Sequence, residues 1–244
     1  MKVWILTSKF GQGHFSVAKA LEEELTEYGH DVIVSDIVQI TYPKLYKTIY
    51  KGFNDIVCIN STIYNVLNSF GRNTKQKNKE INENKYVQLA LKEIEPDIII
   101  TTWSACARML GTVSVPVYVC ITDVGVHTGW LHDGVQGYLV ANSDVKQKLI
   151  DMGIDETQIH IRGIPVKKVF HRTIKSYSTA KRILIMGGGL GIFPWIDNLL
   201  DELSTYPEVK ITVITGKNIK LYQRLLNKYK SDNINIVGFT KDVH

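Results

Sequence analysis

Arg182-Ile183-Leu184-Ile185-Met186-Gly187-Gly188-Gly189-Leu190-Gly191 is the stretch that decides the fold. Its apolar run, Ile183 to Met186, reads as a buried parallel strand. Four glycines follow within five positions. A helical pattern then opens near Phe193-Pro194, where a proline's missing N–H does no harm in a first turn. Strand, glycine loop and helix start, in that order, present backbone N–H groups to a phosphate with the helix dipole behind them. A tight turn that needs only positive φ would also use glycine, but four together favour the phosphate.

The same arrangement opens the chain. Val3 to Leu6 is strand-like, Thr7-Ser8-Lys9-Phe10-Gly11-Gln12-Gly13-His14 follows, and Phe15, Ala18, Leu21 and Leu25 then recur at helical spacing. Two such units, far apart in one chain, predict an α/β protein with two Rossmann-like domains facing each other across a cleft. Further strands are expected at 31–36, 97–101, 115–121, 136–141 and 159–162, and Ser143 is expected to cap a helix. Gly163-Ile164-Pro165-Val166 turns the chain out of the first domain, which spans 1–170. The polar segment 171–180 reads as a linker, and 181–244 as the second domain. There, strands at 183–186, 209–214 and 234–237 alternate with helices near 194–204 and 218–230. Gly216-Lys217-Asn218 and Gly238-Phe239 fall at strand carboxyl ends, where open α/β sheets bind ligands.

The 244 residues suffice for one large or two modest domains. A formal net charge of +5 suits anionic ligands or lipid surfaces and is too weak to imply nucleic acid. Cys58, Cys106 and Cys120 lack metal-ligand spacing and read as buried thiols in a reducing compartment. The first residues enter a strand directly, without a leader or any long apolar run. The expectation is a cytoplasmic protein that touches a membrane without spanning it.

Tyr42 to Ile56 predicts a helix with Leu45, Tyr46, Ile49, Tyr50, Phe53 and Ile56 on one face and Lys44, Lys47 and Lys51 on its flank. Aromatics beside lysines fit an interfacial helix. Three lysines at about 1 kcal/mol each near an anionic leaflet give about 3 kcal/mol, useful only with apolar insertion added. The alternative is a core-facing helix with a solvated lysine edge. Residues 73–85 are polar and lysine-rich, and read as an exposed excursion. Thr122-Asp123-Val124-Gly125-Val126-His127-Thr128-Gly129-Trp130 follows a buried strand and combines an acid, a proton carrier and a stacking surface. Asp123, His127, His132 and Asp133 are types that suit a divalent ion, but no compact ligand motif joins them. Asp36 closes the second strand, where an acid binds ribose in dinucleotide folds or simply begins a turn.

These motifs together resemble the diacylglycerol glycosyltransferases, that is, the monogalactosyldiacylglycerol synthases and processive diacylglycerol glucosyltransferases, which have the two-domain GT-B fold. The resemblance is carried by Gly11-Gln12-Gly13-His14 with Ala18 and Ala20-Leu21, by Thr122-Asp123 with His127 and Trp130, and by Gly163-Ile164-Pro165-Val166 with Phe170. The second domain adds Ile185 to Gly191, Thr215-Gly216-Lys217-Asn218 and Gly238-Phe239. The resemblance covers essentially the whole chain.

It implies transfer of a hexose from a UDP-sugar to the hydroxyl of diacylglycerol in glycolipid synthesis, with UDP-hexose, diacylglycerol and an anionic membrane surface as partners, and neither cofactor nor metal. His14 would accept the acceptor's proton and Asp123 would assist it. His127, Trp130, Tyr46, Tyr50, Lys47 and Phe53 would border the lipid. Gly13, Gly188, Gly189, Gly191, Asn218, Gly238 and Phe239 would hold the nucleotide. The protein would sit peripherally on the inner face of the cell membrane. Val124 departs from the family's usual tyrosine. Residues 181–244 correspond to only part of a donor domain, so the second domain reads as truncated and weak activity is expected from this chain alone. A non-catalytic lipid- or nucleotide-binding remnant is the alternative. A Rossmann-type oxidoreductase is disfavoured by Ser16 in place of the third fingerprint glycine.

Overall fold

The computed structural model describes residues 1–10, 12–59, 84–171, 181–241 and 243. The linker reading at 172–180, the polar excursion up to residue 83, and Gly11 lie outside these. The chain divides into two compact units, Met1–Lys51 with Val66–His171 and Gly52–Asn65 with Arg172–His244.

The first unit is built on strands β1 (Lys2–Thr7), β2 (Asp31–Asp36), β3 (Ile98–Thr101), β4 (Val117–Cys120), β5 (Val135–Val140) and β6 (Ile159–Ile161). They form one sheet in the order β2-β1-β3-β4-β5-β6, and every pairing is parallel. Helices α1 (Gly13–Glu27), α2 (Ile37–Thr41), α3 (Tyr46–Ile59), α4 (Lys85–Ile94), α5 (Cys106–Leu110) and α6 (Ser143–Asp151) connect them. Strand alternation divides β1 between two cores. Val3 and Ile5 pack with Val17 and Ala18 of α1, while Trp4 and Leu6 pack with Ile37, Val38, Val87 and Cys106. Burial on both faces explains why the strand is a continuous apolar run. The helix after Asn142 starts one residue earlier than expected. Asn142, not Ser143, is its cap, with its Oδ1 accepting from the Val145 amide at 3.0 Å.

The order has one reversal. The chain leaves β1 for β2 and returns to β1's other side as β3, so the crossovers lie on opposite faces and a crevice opens at the carboxyl ends. Thr7 and Thr101 end those two strands.

The second unit holds a parallel sheet in the order β7-β8-β9 (Arg182–Met186, Lys210–Ile214 and Ile234–Val237) with α7 (Ile196–Leu203) and α8 (Ile219–Lys228). One expectation is corrected here. The run 183–186 is a parallel strand but not a buried one, because it lies at the sheet edge. Leu184 is 51% and Met186 49% exposed. Both helices join a single core with Ile211, Val213, Ile234 and Ile236.

Candidate active site

Three loops at the carboxyl ends of β1, β3 and β4 bring together residues distant in sequence. His14 lies in the first turn of α1. Its carbonyl accepts from the Thr102 hydroxyl at 3.1 Å, and Thr102 Oγ1 is also 2.8 Å from Thr7 Oγ1. These two threonines tie the helix start to the switch-point strands. The imidazole points at the β4 loop, with Nδ1 2.8 Å from Thr122 Oγ1. Asp123 follows and accepts at Oδ2 from Trp130 Nε1 at 3.2 Å. The Trp130 ring stands edge-on to His14 at 6.4 Å and 6.2 Å from His127. His127 Nδ1 accepts from the Gly129 amide at 3.1 Å. A Cβ on Gly129 would stand 2.8 Å from the His127 ring, so a side chain here would push that ring aside.

Partial burial holds the His14 pKa below the ordinary histidine value, against the opposing pull of the Asp123 charge and the Thr102 backbone. The ring is therefore neutral at neutral pH. With the proton on Nδ1, Thr122 accepts it and Nε2 keeps a free lone pair. With the proton on Nε2, Thr122 donates instead. Burial pushes the thiol of Cys106 up, and that of Cys120 up to about 12, so both are inert. Among the described residues no group of three His, Cys, Asp or Glu side chains is placed to hold a metal ion.

Trp130 differs from its expected place at the rim. At 1% exposure it belongs to the core with Val119, Ile121 and Tyr138 and offers no face to a lipid. Its indole N–H instead donates to Asp123. The aromatic face of α3 is likewise turned inward. Tyr46, Ile49 and Tyr50 pack on the Trp4–Leu6 core, because the phenol of Tyr50 finds the carboxylate of Asp36 there. That is the core-facing alternative, and it leaves Lys44, Lys47 and Lys51 as an exposed edge, with half-buried Phe53 beyond it. Tyr42 and Leu45 just before the helix are 46% and 58% exposed. Asp36 caps α2 through the Val38 amide at 3.0 Å.

In the second unit the two glycine loops pack backbone against backbone. The Lys217 amide donates to the Gly189 carbonyl at 2.9 Å and Asn218 Nδ2 to the Gly191 carbonyl at 3.0 Å. Asn218 Oδ1 caps α8 through the Leu221 amide. Both ends of Asn218 are thus used within the fold. The amides of Gly191 and Ile192 close a turn onto the Gly188 and Gly187 carbonyls. Among the described residues, the amides of Gly188, Gly189 and Leu190 have no such acceptor, and Gly188 has open space beside it. Phe239 is 53% exposed with the Lys217 ammonium 5.6 Å over its ring, and Gly238 precedes it. Gly13 is exposed with open space around it.

Sequence reading did not assign a role to Thr122 or Thr102. Thr122 stands in the stretch that was singled out, and its alternation with buried Ile121 signals a side chain turned to the site. Thr102 carries no local signal.

Residues 14–166 match the family model for monogalactosyldiacylglycerol (MGDG) synthase. The chain belongs to this family. The match starts at His14 and runs through the whole β4 loop. Two relatives named processive diacylglycerol beta-glucosyltransferase, from Bacillus cereus and Bacillus mycoides, are each 30% identical. The alignments cover 99% of this chain and 68% of the relative. Among solved structures, Anabaena HepE in complex with UDP-glucose aligns over 99% of this chain and 70% of its own, with a TM-score of 0.55 and 12% identity. A putative UDP-N-acetylglucosamine 2-epimerase from Listeria monocytogenes aligns over 98% and 69%, with a TM-score of 0.57 and 9% identity. At such identities the likeness concerns the fold, the α/β architecture of GT-B glycosyltransferases and epimerases. Members of the family are diacylglycerol glycosyltransferases.

Proposed function

We propose that the chain transfers the hexose of a UDP-sugar to the free hydroxyl of diacylglycerol at a membrane surface. The observation that carries this reading is a neutral His14 joined to Thr122 beside Asp123, at the switch point of the sheet. With Nδ1–H donated to Thr122, Nε2 takes the proton of the acceptor hydroxyl. The hydroxyl oxygen bonds to the anomeric carbon, and the bond from that carbon to the diphosphate breaks, so UDP leaves with its electron pair. Asp123 steadies the imidazolium that forms, and Trp130 holds Asp123 in place. His127 would border the acceptor. The unpaired amides of Gly188, Gly189 and Leu190 would receive the diphosphate, with Phe239 beside them. The relatives' names speak for diacylglycerol and glucose, and the UDP-glucose held by HepE speaks for the donor class.

No helix among the described residues is long and apolar enough to cross a membrane. Lys44, Lys47 and Lys51, with exposed Tyr42 and Leu45, make a basic and apolar edge suited to peripheral contact with an anionic inner leaflet.

Thermal-shift titration with UDP, UDP-glucose, UDP-galactose and NADH, side by side, tests the donor. UDP species are expected to stabilise the chain by about 2.7 kcal/mol at a hundredfold excess over Kd. No shift with any of them, or a shift with NADH alone, would overturn the reading. UDP binding with no consumption of either UDP-sugar over diacylglycerol vesicles would favour a nucleotide-binding remnant.

The pH profile tests the base. Since burial lowers the His14 pKa, the neutral form required for proton acceptance persists below pH 6.5. The acidic limb of kcat/KM is expected to have its midpoint under that value. A limb centred above 6.5 that disappears in His14→Gln would contradict the assignment.

A further inference from the structure

The loop that carries His14 is held from two sides. On one side Thr102 grips the His14 carbonyl. On the other, the Lys9 amide donates to the Tyr50 hydroxyl at 3.0 Å. That hydroxyl has one proton to give and directs it at the Asp36 carboxylate, 2.8 and 2.9 Å from its two oxygens. The Phe10 ring sits 4.7 Å from Tyr50 and 5.2 Å from Trp103, clasped between α3 and the loop after β3. Asp36 is 8% exposed and is occupied by the α2 cap. The Lys9 ammonium, 3.9 Å away on a half-exposed side chain, adds only a weak surface pair. Thus one phenol joins three elements: the β2 end through Asp36, α3 through its own backbone, and the β1–α1 loop through Lys9.

The two anchors differ. Thr102 follows a central strand paired on both sides, so its position is fixed by the sheet. Tyr50 comes from a helix whose described residues meet the core through side chains, Tyr46, Ile49 and Tyr50. A shift of α3 would carry the Lys9 amide and Phe10 with it, five and four positions before His14, while the Thr102 contact is held by the sheet.

We propose that Tyr50 is a positioning residue for His14, whose hydroxyl sets the β1–α1 loop so that the seat of α3 is read out at the imidazole. This rests on the assignment of His14 as base. It gives the inward-facing Tyr50 a part in turnover without contact with lipid or sugar. A buried phenol satisfying Asp36 for stability alone is the competing role, and the two separate experimentally.

Tyr50→Phe keeps the ring against Phe10 and removes only the hydroxyl. The expected result is a roughly tenfold lower kcat with KM for the UDP-sugar unchanged, since small misplacement of a reacting group costs rate more than binding. The His14 ring signals, assigned by their loss in His14→Gln, are expected to move in heteronuclear NMR spectra while far-UV circular dichroism stays the same. Unmoved His14 signals with unchanged kcat overturn the proposal. If Tyr50→Phe does not fold, Asp36→Asn keeps an oxygen for the phenol and the cap but removes the charge. In folded Asp36→Asn, a smaller displacement of the same signals supports positioning, and no displacement overturns it. The NMR reading does not depend on the reaction, so an active His14→Ala would sink the base assignment and leave the positioning result standing.

Discussion

Replacing His14 with alanine is expected to lower sugar transfer by about 10²- to 10⁴-fold, the range typical of losing a positioned general base. The loss should fall on kcat, with the donor KM little changed, because in this account the imidazole acts on the acceptor's proton. The fold should survive. The ring is only half-buried, and the contact that ties the helix start to β3 uses the His14 carbonyl, which alanine keeps. Steady-state turnover of UDP-sugar over diacylglycerol vesicles decides the matter. Turnover within about threefold of the parent, far short of that range, would mean the proton goes elsewhere. Thr122→Val is the companion variant. It removes the hydroxyl that meets Nδ1, and its loss should be smaller, since the base remains and only its tautomer and angle are freed.

Much of this was legible in the sequence, and the failures have physical causes. The strands after which His14, Thr122 and Asp123 stand are apolar runs buried on both faces, a signal that length and composition carry well. The 183–186 run has the same composition, yet it lies at a sheet edge. A strand's own residues do not record whether a second neighbour and a second helical layer cover it. The helix expected over 42–56 begins only at Tyr46 and leaves Tyr42 and Leu45 exposed before it, and one apolar face suits a lipid surface and a protein core equally. What separates them is Asp36, which waits under Tyr50. The contact between His14 and Thr122 spans 108 positions, so no window of sequence contains it. The glycines of 187–191 were read for a phosphate. The structure packs Gly191 closely against the Thr215 backbone, and that close approach yields the sharpest stability prediction.

Gly191→Ala is expected to destabilise the second unit by about 2–5 kcal/mol. Gly191 has φ +62, and a Cβ there would lie 1.8 Å from the Thr215 carbonyl oxygen. The left-handed backbone alone costs a side-chain-bearing residue about 1–2 kcal/mol. Forcing an atom into a filled site typically adds about 1–3 kcal/mol. The obstacle is backbone at the end of β8, so relief requires the two loops to part. Parting them breaks the bonds from Lys217 to Gly189 and from Asn218 to Gly191. A domain's whole stability is about 5–15 kcal/mol, so the sheet β7-β8-β9 should open measurably. Gly188→Ala is the control. Its φ is +67 but nothing stands within 4 Å of the added Cβ, so it should cost only the backbone share, about 1–2 kcal/mol. Hydrogen exchange over β8, read by mass spectrometry, reports the opening in each variant. Equal protection in the two would show that close approach at Thr215 is not what Gly191 provides. The pair also separates fold from ligand. If the amides at 188–190 receive a diphosphate, Gly188→Ala should weaken the UDP-induced thermal shift more than its own small loss of stability accounts for. In Gly191→Ala the two losses should fall together, because a parted loop holds nothing.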